Sequence, residues 1–166
     1  MALVRPFLVL LVILTLSSCS QSKFRSYHGP EVTRVVVYKE SRKMFLYHHG
    51  RVLARHRIDL GFAPSGDKNF EGDGRTPEGR YLINRRNPNS NFHLSLGISY
   101  PNATDIAAAR EAGKSPGGDI FIHGNVNPLK NRRGSDWTAG CISVSNREIE
   151  KIYAMVRNGT VIDIFP

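Results

Sequence analysis

Two cysteines, one tryptophan and three methionines are all that the 166-residue chain holds of those types. A small fold stapled by several disulfides is therefore excluded, and no cluster of Cys and His has zinc spacing. Acidic residues are also scarce: 14 Asp and Glu stand against 23 Lys and Arg, a formal net charge of +9. Long apolar runs are missing except for Phe7 to Leu16, which is too short to span a bilayer. With no internal repeat and no low-complexity tract, the length fits a single domain with one core. The basic balance favours anionic partners, yet no basic run is interleaved with aromatics, which argues against nucleic acid. An acidic envelope polymer or a membrane surface matches better, and a plain solvated face is the alternative.

The opening MALVRPFLVLLVILTLSSC has one basic residue, an apolar stretch and then Leu16-Ser17-Ser18-Cys19, the layout of a secretory signal over residues 1–18. Its end resembles the bacterial lipobox, which implies a lipid on Cys19, anchorage to a membrane and, from Ser20, an outer-membrane address where the host has one. The expected location is the periplasmic face of the cell envelope. Residues 19–31, polar and closed by Pro30, suit a tether, and residues 32–166 the domain. With Cys19 acylated, Cys141 is the one remaining thiol, kept in a compartment where thiols are prone to oxidation.

VTRVVVYKE, KMFLY, RVLARHRIDLG, GRYLINRR, FHLSLGISY, GDIFIHG, CISV and TVIDIFP are short β-branched and aromatic runs, with a hairpin turn expected at His49-Gly50. The expectation is a mainly β domain with two short helices. The first runs from about Ala103 to Glu111, before Gly113. The second follows Ser145, whose spacing to Glu148 is that of a capping box, and Ile149, Ile152, Tyr153 and Val156 recur on one face. DKNFEGDGRTPE, residues 67–78, fits a calcium-loop pattern, but strand signals flank it, Gly74 takes the place of a bulky apolar residue and Pro77 opposes an exiting helix. It reads as a glycine-rich connection, so no metal and no cofactor is expected.

His123 ends one strand-like run and Cys141 begins another. An imidazole beside a thiol can take its proton, and the pair needs only proximity to become a nucleophile and its base. Gly124 and Gly140 flank the pair, and backbone N–H groups at Gly140 and Cys141 suit an oxyanion hole. The plain alternative is a buried thiol and a satisfied core histidine.

His123-Gly124, a bridge, and Thr138-Ala139-Gly140-Cys141 resemble the signature of the L,D-transpeptidase catalytic domain. Gly61-Phe62-Ala63-Pro64-Ser65-Gly66-Asp67-Lys68 and Thr76-Pro77-Glu78-Gly79-Arg80-Tyr81 extend the likeness, which covers residues 32–166. Phe92-His93-Leu94-Ser95-Leu96 and Asp136-Trp137-Thr138-Ala139-Gly140-Cys141-Ile142 are similar to a murein L,D-transpeptidase-like branch. The resemblance implies a β-rich, sandwich- or barrel-like domain without cofactor, acting on peptidoglycan stem peptides at meso-diaminopimelate. Cys141 would be the nucleophile and His123 the base, oriented by a main-chain carbonyl near Gly124. Thr138, Trp137, His93, Arg132 and Arg133 are the candidates for substrate contact, with Asp136 a structural loop residue. Cross-linking or protein attachment, hydrolysis that releases a murein-linked lipoprotein, and an inactive murein-binding module all remain open. Two departures stand out: Ala139 occupies a position where His is frequent, and Ser143 one where many members have Arg. Arg132, Arg133, Arg85 or Arg86 are possible substitutes for that cation.

Overall fold

The computed structural model describes residues 22–125 and 135–166, so the signal segment, Cys19, Arg132 and Arg133 lie outside the described residues. The described residues form eight strands: β1 (Arg34–Tyr38), β2 (Lys43–His48), β3 (Arg51–Arg57), β4 (Gly79–Asn87), β5 (Ser95–Ile98), β6 (Phe121–His123), β7 (Ile142–Ser143) and β8 (Val161–Phe165). They hydrogen-bond in the order β3-β2-β1-β8-β4-β5-β6-β7. β1 pairs with β8 and β6 with β7 in parallel, and the other neighbours are antiparallel.

The two ends of that order meet. Residues just after β3 turn onto β7, where Asp59 and Ser143 exchange backbone bonds of 2.9 and 2.8 Å. Phe62 N–H then reaches the Thr138 carbonyl at 2.9 Å, and Thr138 N–H the Leu60 carbonyl at 3.1 Å. The mixed sheet thus curls until its edges join, which leaves fewer unpaired backbone groups than an open sheet would. This is the barrel-like form of the expected mainly β fold.

Side chains alternate as a sheet covered on one side requires: Val35 and Val37 of β1 point into the core and Tyr38 points out. Leu46, Leu96, Ile122, Ile142 and Ile162 fill the interior, each fully buried aliphatic side chain stabilising the fold by about 1.5–3 kcal/mol before entropy is counted. Helix α1 (Ala103–Glu111) has a capping box built from Asn102 and Asp105. Asp105 also accepts a hydrogen bond from buried Tyr81 at 3.0 Å, which joins a largely polar helix to the core. Helix α2 (Asn146–Met155) begins with the Ser145–Glu148 capping box and buries Ile149, Ile152 and Tyr153. β2 and β3 form the hairpin, turning at His49-Gly50.

The segment expected as a tether is docked on the domain from Lys23. Lys23 Nζ donates to the carbonyls of Pro88 and His93 at 2.6 and 3.1 Å, and Arg25 pairs with Glu150 of α2 at 2.6 Å. Lys23 and Arg25 thus have carbonyl and carboxylate partners on the domain.

In the 67–78 connection, the Asp73 carboxylate accepts from Lys68 Nζ and from the N–H groups of Asn69, Phe70 and Arg75. Asp67 accepts from the N–H groups of Lys68 and Glu78, and Glu78 pairs with buried Lys39 at 2.7 Å. Asp67 and Asp73 thus tie the connection to its own backbone, while Glu78 anchors it to Lys39.

Candidate active site

Register across three strand pairs assembles the site. Arg85 and Asn87 of β4 face Gly97 and Ser95 of β5. Those two face Phe121 and His123 of β6. Ile142 and Ser143 of β7 face Ile122 and His123, which sets Cys141 beside Phe121. Cross-strand partners share a face and so do positions two apart. His123 and Cys141 are therefore diagonal neighbours on one face. They line a single cleft of about 270 Å³ together with Asn87, Phe92, Ser95 and Phe121. A larger hollow of about 590 Å³ between Arg34, Tyr38, Tyr47 and Arg80 lies on the outer face of the sheet and holds neither of them.

His123 is held by its neighbour. Its Nδ1 lies 2.6 Å from the Gly124 carbonyl. A carbonyl only accepts, so Nδ1 carries the proton and Nε2 is left as the basic atom. Phe92 and Trp137 wall the imidazole, with ring centroids 4.4 and 5.8 Å away. Burial pushes the imidazole below its ordinary pKa, and the bond to Gly124 offsets this only in part.

Cys141 is partly buried and directs its thiol to the Asp119 carbonyl at 3.5 Å. Burial pushes the thiol above its ordinary pKa; the Phe121 N–H opposes this and the Asp119 charge adds to it. Both shifts favour uncharged groups.

The turn that carries the thiol is fixed from several directions. Asp136, at φ 58°, pairs with Arg42 at 2.7 Å and accepts the Leu60 N–H at 3.0 Å. Burial alone would raise the Asp136 carboxyl, but the Arg42 hydrogen bonds, the Leu60 N–H and the Arg42 charge outweigh it and hold the pKa below the usual carboxylate range. Thr138 Oγ1 donates to the Cys141 carbonyl at 2.6 Å and accepts the Gly140 N–H at 3.2 Å. Gly140 itself has φ 133°, and a Cβ there would stand 2.7 Å from the Arg75 carbonyl, so glycine is required for the approach.

These facts redistribute the roles expected from the sequence. Thr138 is buried and bonded within the turn, so it positions Cys141 instead of facing the cleft. His93 pairs with Glu150 at 3.0 Å, away from the cleft lining. Trp137 stands against His123. The Gly124 N–H donates to the Phe92 and Leu94 carbonyls at 3.1 and 3.3 Å, so Gly124 serves the site through its carbonyl and not as an oxyanion donor. Arg86 stacks on Tyr153 at 3.9 Å and is partly buried, whereas Arg85 reaches the cleft side of the sheet, 4.7 Å over Phe121. Ser143 is buried at the seam where the sheet closes. Asp119, Phe92 and the Arg42–Asp136 pair escaped the sequence reading. Only the Gly118-Asp119 step just before the strand hinted at the first, and strand register was needed to find the others.

The chain matches the family model of the YkuD L,D-transpeptidase catalytic domain over residues 32–164. It is 27% identical over 133 residues to YafK of Escherichia coli (strain K12), whose name places it among the L,D-transpeptidases. That match covers 76% of this chain and 48% of YafK, so the chain spans about half the length of the curated relatives it matches. Among solved structures it is similar to the helical cell shape determining protein Pgp2 from Campylobacter jejuni. The TM-score is 0.63 at 28% identity, covering 87% of this chain and 51% of that one. Bd1075 of Bdellovibrio bacteriovorus shares the fold with a TM-score of 0.60 at 23% identity, covering 86% of this chain and 50% of that one. A match over so much of the chain, on the domain that carries His123 and Cys141, places this protein in the family of L,D-transpeptidase catalytic domains.

Proposed function

We propose that the protein is a cysteine-dependent acyltransferase acting on peptidoglycan stem peptides. The observation that carries this is one cleft holding the Cys141 thiol and an imidazole whose Nδ1 is locked on the Gly124 carbonyl, leaving Nε2 to accept a proton. Cys141 Sγ attacks the carbonyl of meso-diaminopimelate, the third stem residue, while its proton moves to His123 Nε2. The C–N bond to the fourth residue breaks, that proton leaves with the amine, and a thioester remains on Cys141. A second amine then attacks the thioester and restores the thiol. The Cys141 N–H is the proposed donor to the tetrahedral oxyanion, since the Gly140 N–H expected beside it is engaged by Thr138 Oγ1. Family membership and the likeness to Pgp2, a protein described as determining helical cell shape, support a peptidoglycan substrate.

The experiment is incubation of the chain from Ser22 onward, which keeps the docked Lys23 and Arg25, with disaccharide tetrapeptide and with protein-linked murein, followed by mass analysis. Cross-linked dimers support acyl transfer to an amine. Released tripeptide or released lipoprotein instead identifies water as the acceptor, and no product with either substrate leaves a murein-binding module. We further propose that Cys19 carries a lipid holding the domain to the periplasmic face of the envelope. Unchanged palmitate labelling of Cys19→Ala would remove that anchor.

A further inference from the structure

On the cleft face, Arg85, Gly97, Phe121 and Cys141 form one row across four neighbouring strand positions. Gly97 leaves the row without a side chain at its second position. A Cβ there would stand 3.1 Å from Arg85 Cβ and 3.4 Å from Arg85 Nε. The arginine uses that gap to lie across β5 with its guanidinium 4.7 Å over the Phe121 ring. Its Nη2 then meets Asp119 Oδ1 at 2.8 Å, and the two side chains remain 55% and 82% exposed. Asp119 is also the residue whose carbonyl receives the Cys141 thiol, and its backbone has φ 53°. An open ion pair therefore stands within one residue's span of the nucleophile, at the edge of the cleft that Asp119 and Phe121 help to line. In water such a pair is worth at most about 1 kcal/mol, so stability alone is a weak reason for it.

We infer that Arg85 and Asp119 form a subsite for a zwitterionic amino-acid head on the acyl donor. This rests on the acyl-transfer reading above, because it is the side chain of the third stem residue that would reach them. Meso-diaminopimelate ends in an ammonium and a carboxylate on one carbon. The carboxylate takes the Arg85 guanidinium and the ammonium takes the Asp119 carboxylate, so the pair exchanges its mutual contact for two charge-assisted ones. Lysine at the same stem position carries only the ammonium and leaves Arg85 unmatched. The subsite also supplies a cation on the cleft side of a chain that has Ser143 where many relatives have Arg.

The test compares two tetrapeptides, one with meso-diaminopimelate and one with lysine at the third position, on the purified full chain. The ratio of their kcat/KM values should favour diaminopimelate by about tenfold to a hundredfold, and should fall towards one in Arg85→Ala. N-acetylation of the distal amine should weaken the donor in the wild type but much less in Asp119→Ala. A loss shared equally by both donors, with the ratio retained, assigns Arg85 a structural role and overturns the subsite. Equilibrium binding of the same peptides to full-length Cys141→Ala, with and without Arg85→Ala, reads the discrimination without turnover. Discriminating binding with no turnover of either donor by the wild type keeps the subsite and removes acyl transfer. Equal binding of both peptides, or binding of neither, overturns the subsite.

Discussion

Cys141 and His123 sit on adjoining strands of the same cleft, yet the chain holds them by opposite means. The imidazole is oriented by the carbonyl of the next residue in sequence, Gly124, at 2.6 Å. The thiol stands on a turn fixed by remote partners: Asp136 grips Arg42, 94 residues away, and the Leu60 N–H, 76 residues away. Local restraint needs only the strand end to be formed. Remote restraint needs the curled sheet to be closed, so the nucleophile, and not the base, reports on whether the fold is complete.

The largest test of that contrast removes the base. His123→Ala should slow acylation of Cys141 by a carbapenem about 10³-fold while the circular dichroism of the fold persists, and Cys141→Ser should show no adduct by intact mass. Undiminished acylation without the imidazole would break the pairing itself. Asp136→Ala comes next, because it leaves a partly buried guanidinium without its carboxylate and the Leu60 N–H without its acceptor. Denaturant unfolding should show a loss of about 2–3 kcal/mol, with slower acylation as a consequence. If acylation falls and stability does not, the remote restraint acts on the turn alone.

Acid should separate the two ends more finely. The depressed Asp136 carboxyl contributes stability that is fully present above its unfolded pKa of about 3.9 and is lost as pH falls through the lower folded value. Asp136→Asn should therefore lose less stability than the wild type between about pH 5 and 3, read by unfolding at fixed denaturant. The His123 imidazole, lowered by burial, should stay unprotonated to below its ordinary value of about 6.5. The acid limb of the acylation profile should then have its midpoint under about pH 6.5; a midpoint above it would contradict the buried, neutral base. The smallest effect is expected at Trp137, whose Nε1 is buried with no hydrogen-bond partner among the described residues. Trp137→Phe keeps a ring beside His123 and should shift stability by less than about 1 kcal/mol, measured by thermal unfolding.

The same contrast explains what could be read from the sequence. Alternating apolar residues and the Ser145–Glu148 box are local signals, and strands and helices formed where those signals stood. His123, Cys141 and the orienting carbonyl at Gly124 were legible for the same reason, the last through a family likeness. Thr138 and His93 have partners within the domain that the sequence did not show, because those partners depend on how the turn folds and on α2 packing. Asp119 and Arg85 meet only when β4, β5 and β6 are in register, and Gly97 gives no hint of the gap it opens until its cross-strand neighbours are known. The calcium-like loop shows the converse: its carboxylates satisfy the N–H groups of their own turn, a use that spacing alone does not distinguish from metal ligation.

The docking of Lys23 and Arg25 sets a leash length. With a lipid at residue 19, as proposed, and the chain pinned to the domain from residue 23, the free span is four residue steps. Fully extended, these reach roughly 14 Å. The domain would then ride close against its bilayer, and the distance between membrane and wall, set by other molecules, would govern how much polymer its cleft meets.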